Sequence, residues 1–447
     1  MIFYKSTNRL ISLLDDEVNF ETALFRGIAP DEGLYMPTRI PKFTFKEIMD
    51  MENFSYSDIA FKVLNVFLKN QISEKHLKFI VRDSYNFEVP IEKLNHNTSI
   101  VRLDRGPTLS FKDFAGRFMA RVMKVLKKDD EKITILVATS GDTGGAMGSS
   151  FKGLDNIEVV ILYPKDEVTD FQKKQMNDLG CNVKTIEVDG KFDDCQLMVK
   201  KAFNDSDLIK LNLTSANSIN IGRILPQIVY YFYTFLKCSS DYLPLIFSVP
   251  SGNFGNSLGC EIARRMGLPV KKIILAVNEN DEFPKFLKKG YYHKISPSIA
   301  CLSNAMNVGN PSNLARYFDL YGGSIDKNGL VNKMPDLEEM RKNIYSASVS
   351  DEETIKTMQD LFLQKKIIVE PHGAVGLKAL EKYRTNSNDD CNAIVLETAA
   401  PEKFSDSVES ILNISLNLNK ISVSKANCLV ENDYNDFKSK LLDLQNK

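Results

Sequence analysis

One segment of the chain places a lysine where it can act as a nucleophile. Residues 106–113 read Gly-Pro-Thr-Leu-Ser-Phe-Lys-Asp, so a proline turn leads directly to Lys112 at the start of a predicted helix. Phe111, Phe114 and Phe118 follow helical spacing, which packs this helix against a core. An apolar setting disfavours the charged ammonium and leaves an amine that can form a Schiff base.

The same segment has a simpler interpretation. The chain contains 57 lysines and arginines, and most such side chains are solvated surface charges. Taken by itself, the pattern favours an amphipathic helix start whose lysine reaches the solvent along an apolar stem. The chemical interpretation therefore depends on what lies elsewhere in the chain.

A loop suited to binding an anion follows a predicted strand at 134–138. Ser140, Gly141, Asp142 and Thr143 stand between this strand and a predicted helix. Glycine allows close backbone approach, and the free N–H groups of a helix start attract carboxylate or phosphate. The alternative is a capped strand-to-helix turn without a ligand.

A second loop of this kind follows a predicted strand at 245–249. Its residues are Gly252, Asn253, Phe254, Gly255 and Asn256. Successive amides between two glycines can form a nest for phosphate. Neither loop has the glycine spacing of a dinucleotide fingerprint or of a Walker loop, which argues against a nucleotide-binding α/β enzyme. Two such loops and a buried lysine favour a phosphorylated cofactor at the carboxyl ends of strands.

The order of predicted elements indicates an α/β protein. From about residue 99, short β-branched runs alternate with helical stretches, which predicts parallel sheets covered by helices. The predicted strands are 134–138, 158–162, 183–188, 245–249, 272–277 and 393–396. The first part of the chain is predicted to be mainly helical, with helices at 20–26 and 56–68.

This order divides the chain into three predicted domains. A helical N-terminal domain covers residues 1–85, and a smaller α/β domain with the lysine and the first loop covers 86–235. A larger α/β domain with the second loop and Thr398 covers 236–447. A chain of 447 residues is long enough for two or three well-filled cores.

Composition narrows the classes of partner and site. The 57 basic and 58 acidic residues nearly cancel, so neither nucleic acid nor an anionic membrane is an expected partner, and a small molecule is. The seven cysteines include no Cys-x-x-Cys pair, and the four histidines lack metal-ligand spacing, so no metal site is predicted. The absence of a signal-like or membrane-spanning apolar run predicts a cytoplasmic protein.

An ordered set of motifs across nearly the whole chain resembles the threonine synthase family, whose members are pyridoxal-phosphate enzymes of the tryptophan-synthase-β fold type. The matching segments are 27–35, 106–117, 138–146, 215–220, 249–256, 302–306, 370–374 and 398–404. Because they occur in the family order, the set is far more specific than any one motif. The resemblance implies two parallel-type sheet domains covered by helices, with a helical N-terminal domain.

The resemblance also implies roles for the residues singled out above. Lys112 would form the Schiff base with pyridoxal 5'-phosphate and then move protons, and Phe111 would lie against the cofactor. The amides of residues 252–256 would hold the cofactor phosphate, and residues 140–143 would bind the substrate α-carboxylate. Thr398 would be the hydroxyl partner of the pyridine nitrogen.

The implied reaction is the last step of threonine biosynthesis, which converts O-phospho-L-homoserine and water to L-threonine and phosphate by γ-elimination and β-hydration. A second anion pocket is then needed for the substrate phosphate. Arg117, Arg223 and the amides of residues 143–145 are candidates, and the sequence does not choose between them. The expected assembly is a monomer or a homodimer.

Two other functions keep the same motifs. A related phospho-lyase would release a 2-oxoacid and ammonia from the same type of substrate, and a catalytically silent protein would retain the fold without turnover; Lys112 argues against the latter. Many family members have histidine at the position of Ala400 and Phe-His at that of Asp104-Arg105. These departures bear on the pocket edge and on the substrate more than on the cofactor.

Overall fold

The computed structural model describes residues 1–9, 17–128, 130–239, 242–416 and 423–445. The strands are β1 Tyr4–Ser6, β2 Tyr35–Pro37, β3 Ile91–Lys93, β4 Thr98–Arg102, β5 Ile133–Ala138, β6 Ile157–Pro164, β7 Val183–Asp189, β8 Leu213–Ser215, β9 Leu245–Pro250, β10 Val270–Val277, β11 Ser324–Ile325, β12 Val331–Lys333, β13 Ile344–Ser348, β14 Ala393–Glu397 and β15 Cys428–Glu431. Short 3-10 turns include Leu225–Ile228, Asn304–Met306 and Pro401–Phe404.

Helices connect most of these strands. They are α1 Phe20–Arg26, α2 Phe45–Met49, α3 Tyr56–Leu68, α4 Glu74–Ser84, α5 Lys112–Leu126, α6 Asp142–Phe151, α7 Asp170–Asn177, α8 Phe192–Phe203, α9 Ile221–Ile224, α10 Val229–Cys238, α11 Gly255–Arg265, α12 Glu282–Lys289, α13 Leu314–Leu320, α14 Leu337–Asn343, α15 Asp351–Lys365, α16 Pro371–Ser387, α17 Ser405–Leu412 and α18 Tyr434–Gln445. No helix in the described ranges is long and apolar enough to cross a membrane.

The predicted elements are present. The helices expected at 20–26 and 56–68 are α1 and α3, and the six predicted strands are β5, β6, β7, β9, β10 and β14. All six residues of β5 are buried, as expected for a parallel strand covered on both faces. The prediction missed β1 and β2, which form an antiparallel pair within the mainly helical N-terminal part, because three-residue strands are too short to show an alternating pattern.

Two parallel sheets carry the fold. The larger has the strand order β13-β10-β9-β14-β4-β3, and its pairs are parallel except for β3 with β4. The smaller has the order β15-β7-β6-β5-β8, and all its pairs are parallel. Since the loops after parallel strands leave from one edge of a sheet, this topology collects the predicted site loops.

The two sheets do not coincide with the two predicted α/β domains, residues 86–235 and 236–447, because some strands join the sheet of the other domain. Strands β3 and β4 come from the first segment but complete the larger sheet, where β4 pairs with β14. Strand β15 comes from the second segment but completes the smaller sheet by pairing with β7. The larger sheet therefore includes β3 and β4, and the smaller sheet includes β15. The division into three domains stays a prediction.

Helices cover both faces of each sheet. The largest apolar cluster joins the N-terminal helices to one face of both sheets. On its other face the smaller sheet packs against α8 and α18, where Val188, Val430 and Phe437 are buried together. The other face of the larger sheet packs against α16, through Val375 and Ala379. The C-terminal strand and helix are thus part of the smaller sheet's core.

Removing the Phe437 ring should destabilise the protein. Phe437 is 0% exposed, so Phe437→Ala leaves a cavity and is expected to lower the free energy of unfolding by about 3 kcal/mol. The matched control is Phe79→Ala on α4, since the Phe79 ring is 68% exposed and contributes little burial. Urea unfolding of both variants measures the effect. Equal midpoints would contradict the packing of α18 on the smaller sheet.

Candidate active site at the carboxyl ends of the strands

Four segments leave the sheets at their carboxyl edges and meet there. Strands β9, β14 and β4 are neighbours in parallel register, so the segments that follow Pro250, Glu397 and Arg102 begin side by side. The segment after β4 also pairs with the one after β14, through a bridge between Ser110 and Ala399. The fourth segment follows β5 of the smaller sheet, and its Asp142 contacts Lys112.

The turn before α5 is held in place by its own side chains. The Asp113 carboxylate accepts hydrogen bonds from the Thr108 amide at 2.8 Å and from the Thr108 hydroxyl at 2.6 Å. The Phe111 amide donates to the Thr398 carbonyl at 2.9 Å, which ties the turn to the end of β14. Lys112, the first residue of α5, therefore projects from a fixed backbone.

The Lys112 amine is largely removed from water. Its side chain is 12% exposed, and Nζ lies 3.2 Å from Asp142 Oδ2 and 4.8 Å from the centre of the Phe111 ring. Burial lowers the pKa of Lys112, and the positive charges of Lys403 and Arg223 lower it further, whereas Asp142 opposes them. The structure thus favours a neutral amine at Lys112 more than solvent does.

Lys403 is a second lysine in the site, and no local pattern around it predicts a role. It is 0% exposed, and its Nζ lies 3.1 Å from Asp142 Oδ1, so one carboxylate contacts two lysines. Gln172 Nε2 also donates to Asp142 Oδ1 at 2.8 Å. Burial opposes ionisation of Asp142, but Lys112 and Lys403 together hold its pKa below the usual range. Lys403 lies within the 398–404 motif, which was the only signal in the sequence.

The loop predicted to bind the substrate carboxylate has free amides. Gly141 adopts a φ of 129°, which favours glycine, and the Thr139 hydroxyl accepts from its amide at 3.0 Å. Within the described chain, the amides of Ser140, Asp142 and Thr143 donate no hydrogen bond. These amides lie at the start of α6, where an anion is favoured, while the Asp142 side chain faces the lysines.

The second predicted loop also presents amides that bind nothing in the described residues. These donors, the amides of Gly252, Asn253, Phe254 and Gly255, form no hydrogen bond with a described residue. Phe254 has a φ of 59°, so the backbone turns at the start of α11. A Cβ on Gly252 would lie 2.6 Å from the Ala305 carbonyl oxygen, and this close approach requires glycine.

Asn256 completes this loop with an unused donor. Its Oδ1 accepts hydrogen bonds from the hydroxyls of Tyr230 at 2.6 Å and Tyr231 at 2.7 Å, which fixes the side chain. Its Nδ2 is buried and has no hydrogen-bond partner among the described residues. A buried donor without a partner is costly, so the side chain fits a loop that receives an anion.

The two predicted arginines lie in different surroundings. Arg117 donates to the carbonyls of Asp83 and Ser84 and to Asn86 Oδ1, at 2.7 to 2.8 Å, so its guanidinium faces the N-terminal helices. Arg223 is 3% exposed and donates to the Ala216 carbonyl at 2.6 Å. Of the two arginines, only Arg223 lies close enough to Lys112 for its positive charge to lower the pKa of Lys112.

Arg223 is a buried cation without an acidic partner in the described residues. Its Nε has no hydrogen-bond partner there, and no carboxylate forms an ion pair with it. Burial lowers its pKa to about 10, so the guanidinium stays charged at neutral pH. An uncompensated buried charge is costly, and an anionic ligand would offset that cost.

The site residues fit pyridoxal phosphate. A desolvated lysine suits its aldehyde, and the free amides of residues 252–255 with the Asn256 donor suit its phosphate. Thr398 is 5% exposed at the end of β14, and it is joined through its carbonyl to the Lys112 turn. The arrangement can hold an aldehyde cofactor, a second anion and a proton shared by Lys112 and Asp142.

Three family models match the chain. The model for pyridoxal-phosphate dependent enzymes matches residues 87–397. The model for the threonine synthase N terminus matches residues 3–85, and that for the threonine synthase C-terminal region matches residues 373–429. Together these matches extend from residue 3, just before β1, to residue 429 within β15.

Curated relatives and solved structures agree with these models. Threonine synthase of Escherichia coli is 39% identical over 424 residues, which cover 94% of this chain and 94% of the relative. The crystal structure of the Escherichia coli protein superposes with a TM-score of 0.89 at 35% identity, covering 99% of this chain and 100% of that chain. A threonine synthase from Brucella melitensis, solved with pyridoxal phosphate bound, gives a TM-score of 0.89 at 31% identity, covering 99% of each chain.

Lys112→Ala should remove the cofactor linkage and leave the fold intact. The variant loses the only amine whose Nζ contacts both Phe111 and Asp142 in the described structure. We expect it to lack the Schiff-base absorbance near about 410 nm and to lose turnover. Absorbance, the rate of product formation and circular dichroism of the purified variant measure the linkage, the turnover and the fold.

The matched control is Lys124→Ala, which removes an exposed lysine from the same helix. It should keep both the absorbance and the turnover of the parent protein. Substantial turnover by Lys112→Ala would exclude the proposed role of Lys112.

Proposed function

The chain belongs to the threonine synthase family, and we propose that it converts O-phospho-L-homoserine and water to L-threonine and phosphate. It is a pyridoxal-phosphate-dependent lyase of the family's α/β fold. The observation that carries the proposal is the agreement with threonine synthases over 94% of the chain at 39% identity, with Lys112 buried at the carboxyl edge where the strands meet. A small molecule stays the expected substrate, and a monomer or homodimer stays the predicted assembly.

We assign the cofactor to the residues at the ends of β4, β9 and β14. Lys112 would link to it, Phe111 would lie against it, and the amides of Gly252 to Gly255 with Asn256 would hold its phosphate. Thr398 would face the pyridine nitrogen. The free amides and the unpaired Asn256 Nδ2 support this assignment.

The cofactor, when bound, supplies a sink for the electron pairs left as protons leave the substrate carbon atoms. Lys112 takes up and returns those protons, and its lowered pKa makes it a better base near neutral pH than an ordinary lysine. Asp142 stays ionised and accepts a hydrogen bond from Lys112 at 3.2 Å, which orients the amine. The enclosed setting keeps bulk water away from this amine.

Thr398 bears on how strong that electron sink is. A neutral hydroxyl cannot hold a pyridine nitrogen in its protonated form as a carboxylate can. The cofactor would then withdraw electrons only moderately. This strength suits a reaction that removes a proton first from one substrate carbon atom and then from the adjacent one. Glu397, the neighbouring residue, is buried, and its carboxylate accepts a hydrogen bond from the Glu370 amide at 2.8 Å.

The substrate would be held at its two anionic ends. The amides of Ser140, Asp142 and Thr143 would bind the α-carboxylate, because they lie unused at the start of α6. Arg223 would bind the phosphate, because it is a buried cation with an unpaired Nε. Arg117, the other candidate, binds residues 83–86 through Nε and Nη2, so the geometry favours Arg223.

Product analysis tests the proposed reaction. Purified protein is incubated with O-phospho-L-homoserine, and the amino acid, 2-oxoacid and phosphate are measured separately. We expect threonine and phosphate in equal amounts. Formation of 2-oxobutyrate and ammonia as the main products would replace the proposal by the phospho-lyase reaction, and no turnover in a sample with the cofactor absorbance would exclude both.

Arg223→Met should weaken substrate binding and leave cofactor binding intact. Loss of charged hydrogen bonds to the substrate phosphate is expected to lower kcat/KM roughly ten- to a hundred-fold, mainly through KM. Inorganic phosphate should also become a weaker competitive inhibitor. Steady-state kinetics and the absorbance near about 410 nm measure these effects.

Arg117→Met is the matched comparison, because it removes the same side chain from the other candidate. We expect KM within about twofold of the parent value, since Arg117 binds residues 83–86 instead. The opposite ranking of the two variants in KM would assign the substrate phosphate to Arg117.

A further inference from the structure

A fully buried lysine without an assigned role stands behind the proposed catalytic pair. Lys403, in the 3-10 turn that follows β14, is 0% exposed. Burying an ammonium group is costly unless acceptors surround it. Its Nζ donates to the Thr108 carbonyl at 2.7 Å and to Gln175 Oε1 at 2.8 Å, and lies 3.1 Å from Asp142 Oδ1. All three donors of the ammonium thus have partners.

These partners join the two walls of the site. Thr108 belongs to the turn that presents Lys112, and Asp142 begins α6 of the smaller sheet. Gln175 lies on α7 and also donates to the Thr108 carbonyl, at 3.2 Å. A single cation therefore connects the end of β14, the Lys112 turn and the smaller sheet.

Lys112 and Lys403 differ in whether their amine would bond to the cofactor. The proposed function requires the Lys112 nitrogen to bond to the cofactor, and Asp142 then loses one of its two cations. Lys403 has no such role, so its 3.1 Å contact with Asp142 does not have to break. A buried carboxylate left without a cation would take up a proton and cease to orient the amine.

We propose that Lys403 is a positioning residue that keeps Asp142 ionised and aimed at the Lys112 amine. It would do so while that amine alternates between its bond to the cofactor and its free form. This inference rests on the proposed function. Asp142 then offers the returning amine a fixed acceptor. Lys112 Nζ contacts Asp142 Oδ2 and Lys403 Nζ contacts Asp142 Oδ1, so the two lysines use different oxygen atoms of the carboxylate.

The charge of Lys403 has a second consequence for Lys112. The groups that face the amine are Asp142 from α6, Lys403 from the turn after β14 and Arg223 from α9, and His372 on α16 faces Asp142. Burial lowers the pKa of Lys112 most, and Lys403 adds to that lowering as a like charge. In the cofactor-free protein Lys112 itself still pairs with Asp142 and keeps it ionised. Removing the Lys403 charge should therefore raise the pKa of Lys112 there, so that the neutral amine is formed only at higher pH.

The test uses Lys403→Met, which keeps the volume and removes the charge, and Lys403→Arg, which keeps the charge. Cofactor-free protein is mixed with pyridoxal phosphate over a range of pH, and the growth of the absorbance near about 410 nm is followed. Because only the neutral amine attacks the aldehyde, the rate rises with pH through the pKa of Lys112. Steady-state kcat and KM are measured on the loaded enzyme.

For Lys403→Met we expect the midpoint of that pH profile to move up by about one unit, the order of a like-charge effect. We expect kcat to fall about tenfold or more with a smaller change in KM, because the amine is less well oriented. Lys403→Arg should restore the parent midpoint. The control is Lys173→Met, since Lys173 pairs with Glu187 at 3.1 Å on the outer part of the smaller sheet; it should change neither quantity.

A parent midpoint and a parent kcat in Lys403→Met would overturn the proposal. If that variant does not fold, Lys403→Gln, whose amide can still donate to a carbonyl, takes its place, and loss of the fold in both would also overturn it by making Lys403 a structural residue. A parent protein without the absorbance and without threonine formation would instead refute the proposed function. The two failures are therefore distinct.

Discussion

The site depends on one buried carboxylate shared by two buried lysines. Asp142 lies 3.2 Å from Lys112 Nζ and 3.1 Å from Lys403 Nζ, and each group would be costly to bury without the others. The three groups come from α5, α6 and the turn after β14. Their mutual attraction therefore holds the two sheets together at the place where the chemistry occurs, and any change of charge at one group alters the protonation of the others.

Parallel topology is what brings these groups to one place. Strands β4, β9 and β14 are adjacent in register, so their following segments share one edge, and β5 delivers α6 from the smaller sheet. The strands are buried on both faces and are tightly constrained, while the segments after them are free to carry polar groups. Amides at the starts of α6 and α11 then lie unused at the same edge, where the helix starts favour anions.

The charge balance within the described site leaves room for anionic ligands. Lys112 and Lys403 share one carboxylate, Asp142, and the buried Arg223 has no acidic partner among the described residues. A surplus of positive charge in a poorly solvated place is unfavourable in the protein alone. The phosphate of the cofactor and the carboxylate and phosphate of the proposed substrate would each reduce it. The same surplus favours the neutral form of the Lys112 amine, so binding and proton transfer share one electrostatic origin.

Local features could be predicted from neighbouring residues and their periodicity. They include the helices at 20–26 and 56–68, the buried strands, the turn before Lys112 and both glycine-containing loops. The ordered motifs of the sequence also indicated the family. Three other features became visible in the folded protein alone: β4 and β15 pair with strands far from them in the chain, Lys403 pairs with Asp142, and Arg223 faces the site while Arg117 does not. Strand partners and through-space charges are set by long-range packing, which has no local signature in the sequence.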